Sequence, residues 1–264
     1  MGRSERELAF LRDLHITDDY TTRFTELADR HISLDQVEGL LYLNVGTGNH
    51  CLALCESAEG KAAVHGICEN SELLSIARDK AAAVGSDVRF SVGAAVLGAF
   101  DAVIADASLT PPDLFEQVMK QAVQYGRSGA RFYFMLPSSG SFGEIFSVLW
   151  EALSNTGSGS GAAIIENMIS SLPTTSKLEE LANAAGLAGV ETHVGREIFE
   201  YADGSALAAS PLIADFFIPA WLKGLSETER DEILDAVSRL IDAEGGDLTF
   251  RFSVKPTLLT GTKE

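Results

Sequence analysis

Residues Leu40 through Leu54 join an apolar stretch to a glycine turn, Gly46-Thr47-Gly48, and then to a helix-forming run. A strand that ends in such a turn lets backbone approach a ligand closely, because glycine has no Cβ and tolerates positive φ. The helix that follows offers unpaired N–H groups at its first turn. This is the chemistry of a nucleotide or cofactor cradle. His50 stands where a third glycine would be expected, two positions after Gly48, so neither GxGxG nor the dinucleotide fingerprint GxGxxG is complete.

Asp106-Ala107-Ser108 is a second place where chemistry could reside. Its carboxylate could take a proton from a nucleophile and Ser108 could orient one; equally, Asp106 could brace the loop before Pro111-Pro112. His50, Cys51, Cys55, His65 and Cys68 form a run of soft ligands, with Cys51 and Cys55 on one helical face. The cysteines lie among Leu52, Ala53 and Leu54, where a free thiol packs as a small hydrophobe, and no C-x₂-C pair exists, so we read packing and no metal site. Ser138-Ser139-Gly140-Ser141 has no assignable histidine partner and reads as a hydrogen-bonded loop that caps a helix, not a triad.

The elements around these residues alternate. Helical spacing over Glu5 to Leu14 and Thr21 to Ile32, with Phe24, Leu27 and His31 on one face of the second, predicts helices ahead of the sheet. Strands are expected at 40–45, 62–68, 88–92, 100–106 and 130–136, and helices at 50–58, 71–84 and 113–125. Such alternation predicts a parallel sheet with helices on both faces. The apolar middle of Phe100 to Asp106 suits a central strand. Phe142 to Leu153 reads as a helix whose Phe142, Phe146 and Trp150 point to a core, and Asn155 to Gly161 as a mobile loop. Capping boxes are expected at Ser176/Glu179 and Ser226/Glu229. The second opens a helix that Gly245-Gly246 ends. Strands at about 190–201 and from Leu248 to Thr260 predict an antiparallel edge pair. The apolar run Pro211 to Trp221 reads as a lid, a subunit contact or a packed insertion helix.

The chain has 264 residues, 20 basic against 38 acidic, for a formal charge of −18, which argues against nucleic acid or an anionic membrane as the main partner and favours a small molecule. Met1 to Glu7 is polar and unlike a signal peptide, and no apolar run reaches the ~20 residues of a membrane span. The odd set Cys51, Cys55 and Cys68 suggests reduced thiols and a cytoplasmic location.

Taken in order, Leu41 to Gly48, Val64 to Leu74, Phe100 to Asp106 and Gly126 to Phe134 resemble successive motifs of the class I S-adenosylmethionine-dependent methyltransferases. Ser141 to Leu153 and Ser210 to Leu222 are similar to segments of bacterial methyltransferase-like proteins. The resemblance covers about residues 38–264 and implies an α/β fold with a doubly wound, mostly parallel seven-stranded sheet and an antiparallel edge pair. Residues 1–37 would be helices covering the sheet, and 205–244 a helical insertion or lid before the last strand.

The resemblance further implies S-adenosylmethionine as cofactor, held by Asn44, Gly46, Thr47, Gly48, His50, Cys68, Glu69, Ala94 and Asp106, with Asp106 and Ser108 as candidate catalytic groups. Asn44 stands where the family usually has an acidic residue, Cys68-Glu69 where a carboxylate accepts the ribose hydroxyls, and Gly93-Ala94-Ala95 where a carboxylate reads the adenine. The stretch from Asp106 to Pro112 is not the Asn/Asp-Pro-Pro-aromatic motif of methylases that act on nucleic-acid amino groups. Methyl transfer to a small-molecule acceptor, in a chain that could form a homodimer, is the expected function. A noncatalytic methyltransferase-like binding or scaffold protein is the alternative, and an oxidoreductase is disfavoured by the incomplete GxGxxG.

Overall fold

The computed structural model describes residues 2–155, 161–245 and 249–264. The expected loop at Asn155 to Gly161 falls largely on residues 156–160, outside the described residues, as do Gly246 and Leu248.

In chain order the strands are β1 (Gly39–Leu43), β2 (Ala63–Cys68), β3 (Arg89–Val92), β4 (Phe100–Asp106), β5 (Gly126–Pro137), β6 (Leu187–Val194), β7 (Glu197–Tyr201), β8 (Phe250–Val254) and β9 (Pro256–Lys263). The α-helices are α1 (Glu5–Leu11), α2 (Thr22–Asp29), α3 (Asn49–Ser57), α4 (Ser71–Val84), α5 (Phe115–Tyr125), α6 (Gly143–Asn155), α7 (Gly161–Ser171), α8 (Thr175–Ala184), α9 (Gly204–Ala209), α10 (Ile218–Trp221) and α11 (Glu227–Gly245). Arg12–Thr21 and Leu212–Phe217 are π-helical.

Two compact units form. The larger comprises Ser4–Leu136, Thr174–Gly195 and Pro256–Glu264; the smaller comprises Met1–Arg3, Pro137–Pro173 and Arg196–Lys255. The seven-stranded sheet runs β3-β2-β1-β4-β5-β9-β6. β1 pairs in parallel with β2 and β4, β2 with β3, and β4 with β5, whereas β6 and β9 are antiparallel. β1 and β4 are buried on both faces beyond their first residue, as central parallel strands must be when helices cover each side. On one side Phe115, Met119, Leu178 and Ala182 pack against Leu41, Val103, Phe132 and Phe134. α2 packs on β9 and α1 on α4, so the N-terminal helices belong to this unit.

The expected antiparallel edge pair is present, but the two late segments that supply it each divide into two strands. β6 with β9 closes the large sheet, and β7 with β8 forms a separate two-stranded sheet in the smaller unit. The chain leaves the larger unit after Gly195, whose N–H donates to the Pro256 carbonyl at 2.8 Å, and re-enters it at Pro256, which opens β9 at the position where a missing N–H is tolerated.

The box expected at Ser176/Glu179 is also displaced. Thr174 caps α8 by accepting from the Lys177 N–H at 3.2 Å, while Glu179 accepts from the Thr192 hydroxyl. The Ser226/Glu229 box is present, with the Ser226 N–H donating to Glu229 at 2.8 Å and Glu229 N–H donating back at 3.3 Å. In the smaller unit, Phe142 and Phe146 pack on Phe217 and Trp221, but Trp150 is 49% exposed and leaves the expected aromatic series. Pro211 to Trp221 supplies core here through Leu212, Ile213, Phe217 and Ile218.

Candidate functional site

The carboxyl ends of β1, β2 and β4 bring together most of the residues expected at the cradle. β1 ends at Leu43, and Asn44 and Gly46 both take φ of +57°. Gly48, at φ +85°, is the residue from which α3 departs, without a side-chain cap. Glycine is required at Gly48 for a reason beyond ligand approach: a Cβ would stand 2.8 Å from the Phe90 ring and 3.2 Å from the Ala77 methyl. A Cβ on Gly66, in β2, would stand 2.6 Å from the same ring.

Glu69 follows β2 and turns back to the glycine turn, where its Oε2 accepts the Gly46 N–H at 3.1 Å. Its Oε1 accepts from Arg12 Nη1 at 2.5 Å. The Arg12 side chain is 12% exposed, and its Nε and Nη2 lie 2.9 Å from where a Cβ on Gly46 would be. Burial works against the guanidinium charge, and the Glu69 and Asp106 carboxylates overcome it, raising the arginine pKa. The segment bearing Arg12 is fastened alongside. Asp13 Oδ1 accepts from the Thr47 hydroxyl at 2.6 Å and pairs with Lys80, which also donates to Asn49.

Asp106 is buried at the end of β4, where burial raises its pKa against the opposing pull of Arg12 and of its hydrogen bonds from Ser108. The Ser108 N–H donates to Asp106 Oδ1 at 2.8 Å, and the Ser108 carbonyl accepts from the Tyr20 hydroxyl at 3.0 Å. Asn44 Nδ2 donates to the Asp106 carbonyl at 3.1 Å. His50 bridges Tyr42 and Asp29, with Nδ1 2.9 Å from the Tyr42 hydroxyl and Nε2 2.8 Å from Asp29 Oδ1.

Cys68 is buried at the end of β2, and its thiol is pushed up to about 12, first by burial and then by Glu69, against the pull of Arg12 and Arg78. A thiol so shifted is a packing group, since the thiolate is the reactive form. Ala94 lies exposed in the loop after β3. Cys51 is buried, and His65 bonds Ser91 at 2.9 Å.

Arg12, Asp13, Tyr20, Asp29 and Lys80 carry no motif in the sequence. Their partners are distant along the chain, so only folding reveals them.

A cavity of about 270 Å³ remains over the turn, lined by Arg12, Asp18, Asp29, Gly46, His50 and Asp106 among others. A larger groove of about 1370 Å³ lies at the other end of the sheet, beside Gly39, Ala63 and Phe100, where β1, β2 and β4 begin. In open α/β sheets ligands bind outside the carboxyl ends of the strands, so the smaller cavity is the candidate site despite its size.

No protein-family model and no curated protein matches the chain. Solved structures do. The YcgJ protein of Bacillus subtilis superposes with a TM-score of 0.57 at 12% identity, covering 93% of this chain and 99% of its own. Phosphoethanolamine N-methyltransferase 2 of Haemonchus contortus, in complex with phosphomonomethylethanolamine and S-adenosylhomocysteine, gives 0.54 at 13%, covering 98% of this chain and 57% of that one. The [4+2]-cyclase SpnF gives 0.50 at 18%, covering 92% and 80%. The fold is therefore the Rossmann-like fold of the class I methyltransferases, and the cyclase shows that one such fold serves more than one reaction.

Proposed function

We propose that the chain binds S-adenosylmethionine at the Gly46–Gly48 turn and transfers its methyl group to a small-molecule acceptor. The observation that carries this reading is the placement of the Glu69 carboxylate at the end of β2, against the Gly46 N–H at 3.1 Å. The donor set suits the cofactor. Glu69 would accept the ribose hydroxyls, the backbone of Gly46, Thr47 and Gly48 would pass beneath the methionine part, and Asn44, His50 and Asp106 would face its polar end. Cys68 and Ala94 would contribute backbone only. When bound, the cofactor supplies a methyl group on a sulfonium, an electrophile that needs no further activation.

The protein's own contribution would be alignment, since proximity and orientation alone supply much of such a rate. Asp106, held in place by the Ser108 N–H, would be the carboxylate to take an acceptor's proton. The formal charge of −18 favours a small-molecule partner over nucleic acid, and no helix among the described residues is long and apolar enough to cross a membrane. A second reading, a noncatalytic binding protein, is favoured by the Arg12 guanidinium that lies in the cradle.

Titration calorimetry with S-adenosylhomocysteine separates the two. Binding is expected, and in Arg12→Ala it should weaken roughly tenfold or more when the Glu69 carboxylate is removed as well, as loss of a charge-assisted bond predicts. No heat at millimolar ligand, in the chain and in Arg12→Ala alike, would sink the proposal.

A further inference from the structure

We infer that Arg12 is a plug built into the chain: its guanidinium closes the Gly46–Gly48 cradle, and the start of the 12–21 segment must withdraw before a ligand can engage Glu69. The inference rests on the proposed cofactor site and concerns its regulation. Both Glu69 oxygens are already engaged, Oε1 by Arg12 at 2.5 Å and Oε2 by the Gly46 N–H at 3.1 Å. A ribose that uses this carboxylate would have to share Oε1 with Arg12 or displace it. The space on the ligand side of Gly46 is taken by the same guanidinium, 2.9 Å from the position of a Cβ. What remains is about 270 Å³, below the roughly 300–1000 Å³ of small-molecule sites.

The plug has a latch and an anchor. The latch is at its first residues, where Asp13 binds Thr47 at 2.6 Å and pairs with Lys80. The anchor is at its far end, where Ile16 and Tyr20 are fully buried and the Tyr20 hydroxyl donates to the Ser108 carbonyl at 3.0 Å. The ten residues Arg12–Thr21 that carry both are π-helical, with α-helix on either side. Such windings are rare and short-lived in sequence, and they cluster at functional sites. The Thr17 hydroxyl donates to the Arg12 carbonyl at 3.0 Å, and Thr22 does the same to Thr17 at 2.8 Å, in the five-residue spacing of that winding. Rewound as ordinary α-helix about its fixed far end, the segment would have a second arrangement, the requirement for a switch. The apparent affinity of the site then equals the intrinsic affinity reduced by the fraction of molecules that are open.

Calorimetry with S-adenosylhomocysteine on the full chain, Arg12→Ala and Asp13→Asn tests this, with circular dichroism to establish that each is folded. Arg12→Ala should bind at least about tenfold tighter than the unaltered chain, and Asp13→Asn should fall between them, because the closed fraction no longer subtracts from affinity. If Arg12→Ala does not fold, tighter binding by Asp13→Asn supports the plug and unchanged or weaker binding overturns it. Binding by the unaltered chain with equal or weaker binding by Arg12→Ala makes Arg12 a ligand contact; it overturns the plug and leaves the cofactor reading standing. No binding by any folded form removes the cofactor reading, and the plug falls with it because opening the cradle exposes no site.

Discussion

Tyr20 and Tyr42 are fully or nearly fully buried beneath the cradle, one bound to the Ser108 carbonyl and the other to His50. Burial, reinforced by the Asp106 charge, raises both phenol pKa values well above the ordinary value. The sign follows from linkage. The folded state holds these protons more tightly than the unfolded state, so the stability they contribute is present below the unfolded phenol pKa, about 10, and is lost as pH rises beyond it toward the folded values. Ultraviolet titration should therefore show both tyrosines ionising only as the chain unfolds in alkali, and a smooth two-phenol titration with the fold intact would contradict the burial. Tyr20→Phe should lower stability by about 1 kcal/mol through loss of one hydrogen bond, as measured by urea denaturation. At this level the sequence was informative about Gly46, Gly48, Glu69 and Asp106, whose neighbours along the chain mark strand ends. It was silent on Arg12 and Lys80, because an ordinary charged residue in a polar helix carries no sign of a partner 57 or 67 positions away.

Strands and helices of the larger unit follow the pattern of apolar residues closely, because β1 and β4 are buried on both faces and α4 and α5 on one. α4 begins and ends where expected, with Asn70 accepting from the Glu72 and Leu73 N–H groups and Gly85 at φ +66°. The π-helical segment was not legible, since the periodicity of two α-helices says nothing about how the chain joins them. The glycines of this region serve Phe90 as much as any ligand. Gly66→Ala should cost about 1–3 kcal/mol by overpacking that ring, and Phe90→Leu should relieve most of it in a double-mutant cycle. Gly48→Ala should be relieved less, because its φ of +85° remains strained whatever space is made. Equal relief at the two positions would show that packing alone, without backbone conformation, accounts for Gly48.

The whole chain is strongly acidic, and self-repulsion in a molecule of charge −18 works against the compact state. Raising ionic strength from about 0.01 M to 0.15 M, which shortens the Debye length from roughly 30 Å to 8 Å, should raise the melting temperature measured by calorimetry. A fall would mean that attractive pairs such as Lys80–Asp13 outweigh the net repulsion. Each unit has its own interior: aliphatic and aromatic side chains on the sheet in the larger, and Phe142, Phe146, Phe217, Trp221 and Phe252 in the smaller. The alternation of strands and helices, the glycine turn and the carboxylates at strand ends could be read along the chain, because they depend on local periodicity and on residues near one another in sequence. The separation of β7 and β8 into their own sheet and the seating of Arg12 on Gly46 and Glu69 could not. Both arise from contacts between distant segments, and such contacts are settled by how whole elements pack, when burial and charge pairing are satisfied together.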